Sequence, residues 1–186
     1  MAELNPWDRL PKPERGARTK SELYTAVGAS LSQWERTEES LAEIFSFFVG
    51  GDLLDMSPAI RAYGSVVSFS SRADMLDAAA TAYFYRKPNT DVERQFGALL
   101  KQCRQFSGRR NDIAHGRVHA IPKLGCFLLP GLFNSRKIKI DGDPAYFWAI
   151  REIRHYRDYF SRLAGDLNEF VFDHSMFSQA EHEDLP

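Results

Sequence analysis

Residues 109–116 read RRNDIAHG and place two guanidinium groups, an amide, a carboxylate and an imidazole within eight positions. A guanidinium presents a planar fork that matches two phosphate oxygens. An imidazole is the side chain that exchanges a proton near neutral pH. Together they are the residue types that phosphate-ester chemistry requires. If the run is helical, Asn111 and His115 stand four apart on one face, so the amide can orient the ring. Arg110 then lies about 140° around the axis from His115 and about 7.5 Å along it. Such side chains line adjacent walls of a cleft with room for one phosphate.

Whether these groups converge depends on the helices that carry them. From Val27 a stripe runs through Val27, Leu31, Trp34, Glu38, Leu41, Phe45 and Phe48, with the alternating four and three spacing of a packed helix. Ser21 is placed to cap its start, and Gly50 and Gly51 to stop it. A second stripe passes through Val92, Phe96, Leu99, Cys103, Phe106, Arg110 and Ile113, in a helix capped by Asn89 or Thr90 and closed by Gly116. Each stripe is otherwise apolar or cysteine, with one ion apiece. A lone ion in a helix interface is costly and a paired one is tolerated, so Glu38 and Arg110 are expected to face each other. The alternative is a slight rotation of each helix, with Thr37 replacing Glu38 and Arg110 snorkelling to water.

The remaining segments supply the frame. SPAIRAYGSVVSFSSRADMLDAAATAYFYRKP reads as a short helix with Pro58 at its first position, a break near residues 64–71, and a further helix ending before Pro88. Over residues 118–140, prolines, glycines and alternating runs such as RKIKI predict a β-hairpin or a pair of short strands, with Lys137 and Lys139 on the wet face. Asp143 followed by Pro144 signals the last helix, whose apolar stripe carries it to about residue 171. The expected fold class is all-α, a bundle of about five helices with a small β-hairpin insert at 118–140 before the last long helix. Residues 1–19, holding three prolines, predict a flexible arm, 20–173 a single domain, and 174–186 an acidic flexible tail.

Composition excludes several classes of function. A formal charge of −1 over 186 residues gives no global basic field, so any anion site must be local. Lys101, Arg104, Arg109 and Arg117 are the candidates for such a patch. Cys103 and Cys126 make no ligand spacing and read as reduced thiols packed like small apolar groups. His119 reads as an ordinary strand or loop residue that could otherwise extend the cleft. His155, His174 and His182 form no recognisable metal array, and no nucleotide-binding glycine pattern is present. With no stretch of roughly 18 apolar residues and no leader-like N-terminus, a cytoplasmic protein without a membrane partner is expected.

RNDIAH, with Gly116 after it and Trp34, Glu38 and Leu41 on the first helix, resembles the RX4-6H motif region of HEPN domains. These are all-helical proteins abundant in toxin, anti-phage and CRISPR systems. The likeness spans roughly residues 21–172, apart from the β-segment. It implies a metal-independent endoribonuclease that needs no cofactor and forms its site at a homodimer interface. Arg110 would bind the phosphate and the transition state, His115 would transfer protons, Asn111 would orient, and Glu38 would support. Attack by the ribose 2′-hydroxyl would leave a 2′,3′-cyclic phosphate and a 5′-hydroxyl. The implied partners are RNA, a second copy, and a cognate antitoxin or defence protein. The alternative is a non-catalytic HEPN-like module that binds RNA, a nucleotide or another protein, with Arg110 and Glu38 a structural ion pair.

Overall fold

Polar caps and glycine stops set the helix ends. The structure, a computed structural model, describes residues 5–11, 15–51, 57–129 and 147–183, with side chains described through 174. Helix α1 (Lys20–Phe48) starts where the Thr19 hydroxyl accepts the Glu22 N–H at 3.1 Å. Thr19, not Ser21, is therefore its cap. It stops in a Schellman turn, in which the N–H of Gly50 reaches Phe47 O and that of Gly51 reaches Ser46 O, with Gly50 at φ +74°. Ser57 caps α2 (Pro58–Ser65) and Ser68 caps α3 (Phe69–Arg86), so the break between them shrinks to residues 66–68. The Asn89 side chain accepts from Val92 N–H at 3.2 Å and opens α4 (Thr90–Ala114).

Strands β1 (Arg117–Ile121) and β2 (Gly125–Leu129) form one antiparallel hairpin, pairing Arg117 with Leu129 and His119 with Phe127. The expected hairpin exists, but its strands are RVHAI and GCFLL; the RKIKI run lies outside the described residues. The other edge of β2 is covered by bridges to Ala17 and Trp148. Helix α5 (Ile150–Glu183) begins six residues beyond Pro144, because Trp148 is engaged in its bridge to Leu128. It continues past residue 171 into the stretch expected as a tail. Among the described residues the regular elements are the five helices and this hairpin. Among the described residues, no helix is long and apolar enough to cross a membrane.

The chain divides into two compact units, residues 1–34 with 105–160, and residues 35–104 with 161–186. In the first, Trp34 meets Phe160 edge-on at 5.2 Å and Phe106 packs on the same ring at 5.9 Å. Of the segment expected as a flexible arm, the described residues 5–11 and 15–19 pack in this unit. Trp7 packs edge-on against Phe106, Tyr156 donates to Asp8 O at 2.6 Å, and Ala17 pairs with Cys126. Partial burial of Trp7 against Phe106 and satisfaction of these backbone groups offset the entropy of ordering the described residues. In the second unit, Phe48 is surrounded by Phe84, Phe96 and Phe170, with ring centres 4.9–6.4 Å away. Both cysteines are free and buried.

Candidate functional site

The last turns of α4 carry RRNDIAHG, and they sit in the first unit. Ile113, on the apolar stripe, is fully buried, which fixes the rotation of the helix end. Asn111 and His115 are then exposed, and Arg110 is half-buried. Arg110 donates through Nη1 to the Asn111 side-chain oxygen at 3.2 Å. The amide thus orients the guanidinium, where the four-residue spacing had suggested the imidazole. His115 closes the helix through its backbone N–H to Asn111 O at 3.0 Å.

Gly116 was expected to close α4, a place where glycine commonly adopts the left-handed region. Its φ does not lie there; the need for glycine is steric. A Cβ at 116 would stand 2.4 Å from Leu128 Cγ. The absence of a side chain lets the chain turn directly onto β2, so that Arg117 follows within two residues of His115. Arg117 and His119 alternate along β1, are both exposed, and therefore project from one face of the hairpin. His115, Arg117 and His119 form an exposed cationic and imidazole row at the junction of α4 and β1.

Two of the arginines expected in the local basic patch have partners within the fold. Arg109 donates from Nε to Trp7 O at 2.8 Å and from Nη1 to Asp112 at 3.1 Å, with its guanidinium 5.9 Å from the Trp148 ring centre. In the second unit, Arg104 bonds Asp74 at 2.7 Å, Asp77 at 3.4 Å and Ala73 O at 3.3 Å. Their forks tie α4 to the N-terminal segment and to α3 respectively, a structural duty in each case. Lys101, in the second unit, is exposed.

Glu38 also belongs to the second unit. It is only 8% exposed and accepts from Arg72 Nη2 at 3.0 Å. Arg72 lies on α3, outside either stripe, and its role carried no mark in the sequence. Thr37 is buried as well, so burial at 37 does not expel Glu38 to water. Tyr63 stands against this pair, with the Arg72 guanidinium 5.9 Å from its ring centre. Burial first, and the Glu38 charge second, hold the Tyr63 phenol well above its usual range.

No group of three His, Cys, Asp or Glu side chains among the described residues could hold a metal ion. Compared in turn with protein-family models, with curated proteins and with solved structures, the chain matches none of them.

Proposed function

We propose that the chain is a HEPN-type, metal-independent endoribonuclease of the cytoplasm, acting as a homodimer in a toxin or anti-phage setting. The observation that carries this reading is the end of α4. There the Arg110 fork is braced by Asn111 one residue away, and the exposed imidazole of His115 stands beside exposed Arg117. In-line attack by a 2′-hydroxyl needs one group to take its proton, one to protonate the leaving oxygen, and positive charge on the transition state. Arg110 supplies the charge. His115 and its symmetry mate in a dimer supply the two proton-transfer groups.

Purified protein incubated with total RNA in EDTA tests this. Expected are fragments ending in 2′,3′-cyclic phosphate, with cleavage lowered about 10²-fold or more by His115→Ala and DNA left intact. Cleavage that is absent, or that survives His115→Ala unchanged, overturns the reading. A non-catalytic protein-interaction module is favoured by one observation, the engagement of Arg104 and Arg109 within the fold. That reading predicts neither new RNA ends nor RNA retention on a filter.

A further inference from the structure

In the hairpin of the first unit, the bonds on the outer side of β2 fix the direction of every backbone group. Cys126 exchanges two backbone hydrogen bonds with Ala17, and Leu128 exchanges two with Trp148, each of 2.8–2.9 Å. The N–H and C=O groups of a strand alternate between its two edges, so Cys126 and Leu128 turn away from β1 while Gly125, Phe127 and Leu129 turn toward it. By register these three face Ile121, His119 and Arg117. The amides and carbonyls of Val118 and Ala120 therefore point out of the far edge of β1. Among the described residues no backbone hydrogen bond from outside the hairpin reaches either one, and Ala120 is exposed.

Native sheets commonly blunt such an edge with a proline, a bulge or a covering element. Residues 117–121 contain no proline, and the register runs through five consecutive pairs without a bulge. The outward groups are two amides and two carbonyls, with about 6.6 Å between equivalent atoms of Val118 and Ala120. Donors and acceptors alternating along a line complement a second extended polypeptide.

The side chains select which polypeptide. Residues 114–129 hold Arg117, Lys123 and the imidazoles of His115 and His119, and no aspartate or glutamate. Arg117, His119 and Lys123 are exposed, with Arg117 and His119 on one face of the strand and Val118 and Ala120 on the other. Opposite charges stabilise a cross-strand pair, and like charges destabilise it. A second β1 and the cationic RKIKI run of this chain are therefore disfavoured. A strand with carboxylates at every second position, alternating with apolar residues over Val118 and Ala120, is favoured.

We infer that the outer edge of β1 accepts an extended acidic segment of another protein as a third strand, with its carboxylates beside Arg117 and His119. The inference does not rest on the ribonuclease reading.

Isothermal titration of the full chain, without RNA, against a capped peptide of alternating glutamate and valine tests it. Saturable binding is expected. It should be abolished by N-methylation of one of the two residue types and kept within about twofold on N-methylation of the other, because only one edge of the added strand bonds the sheet. Ala120→Pro removes an outward N–H and no bond of the hairpin, and should weaken binding about tenfold or more. Arg117→Glu should weaken the acidic peptide and admit its lysine counterpart. Thermal unfolding checks that each variant folds, and the methylated peptides test the wild-type chain if one does not. The inference is overturned by absence of saturable binding, by a folded Ala120→Pro that binds as the wild type does, or by equal effects of the two methylations, which mark ionic contact without strand pairing. Self-association of the chain that Ala120→Pro abolishes would assign the edge to a second copy and overturn it as well.

Discussion

Arg9 meets Glu152 through two hydrogen bonds, of 2.7 and 2.8 Å, while its guanidinium lies 4.2 Å from the centre of the Trp148 ring. The carboxylate is nearly fully buried, with its side chain 2% exposed, and it sits in the first turn of α5, where the helix dipole favours an anion. This pair and the contacts of Trp7 fasten the N-terminal segment to the first unit. Removing the guanidinium strands a buried charge, the case in which ion pairs carry large penalties. Arg9→Ala is expected to cost about 2–3 kcal/mol by urea unfolding, below the fully buried range because Arg9 keeps some water contact. Arg9→Lys should recover only part, since an ammonium cannot satisfy both carboxylate oxygens through one fork. A loss below about 0.5 kcal/mol, the surface-substitution range, would show that the segment is not held by this pair.

Gly116 and Leu128 make a second junction, between the motif turn and the hairpin. Because an added Cβ would overlap the leucine side chain, Gly116→Ala is expected to cost about 1–3 kcal/mol through overpacking. Leu128→Ala alone should cost about 2–5 kcal/mol through its cavity. The double variant should lose less than the sum of the two, because the new methyl enters space vacated by the old side chain. Simple additivity in a double-mutant cycle would refute direct contact as the reason for the glycine.

The helices were legible because their stripes are long and their ends are marked. Four-three spacing through Trp34, Phe45 and Phe48, or Phe96 and Phe106, admits one periodicity. Pro58, Gly50 and Asn89 mark boundaries by backbone chemistry that operates locally. What the sequence concealed depends on distant partners. Arg9 and Trp7 stand in a proline-rich run of low apolar content, and only the location of Glu152 and Phe106 in space explains why that run is ordered. Arg72 is one arginine among many until α3 is seen to bring it to Glu38. In the candidate site, periodicity placed Asn111 and His115 on one helix face, and both are exposed. It could not tell that Arg109 and Arg104 would be engaged by a backbone carbonyl and by two aspartates. The hairpin falls in the first half of the expected 118–140 span, and the burial of GCFLL comes from tertiary packing that its less regular pattern does not announce.

Alkaline pH should expose the buried titratable groups. Burial foremost, then the nearby Glu152 charge, holds the Tyr156 phenol far above its ordinary range; burial foremost, then Glu38, does the same for Tyr63 and the Cys103 thiol. A raised folded value means that stability is complete below the unfolded value and declines above it, as the unfolded chain releases protons that the folded chain keeps. Stability should therefore begin to fall above about pH 8.5 for the thiol and about pH 10 for the phenols, each group adding up to about 1.4 kcal/mol per pH unit. Tyr156→Phe should show a shallower alkaline decline, together with a loss of about 1 kcal/mol at neutral pH from the hydrogen bond to Asp8 O. Guanidinium titrations at several pH values read both effects, and an unchanged alkaline slope would contradict the burial of this phenol.

The exposed and the engaged arginines should separate in a single pair of measurements. Arg117 projects from β1 into solvent near His115, so under the proposed ribonuclease reading its contribution would be electrostatic and its loss would leave the core untouched. Arg117→Ala is expected to weaken RNA binding, to lower the slope of log affinity against log salt by about 0.7–0.9, as one lost phosphate contact does, and to shift stability by less than about 0.5 kcal/mol. Arg109→Ala removes the bonds to Trp7 O and Asp112; it should instead lower stability by about 1–3 kcal/mol and leave the salt slope of the protein that remains folded unchanged. Filter binding over a salt series, alongside urea unfolding, distinguishes the two. A salt slope that falls with Arg109→Ala and not with Arg117→Ala would move the nucleic-acid surface from the hairpin face to the docked N-terminal segment, and would require that segment to release Arg109 when RNA binds.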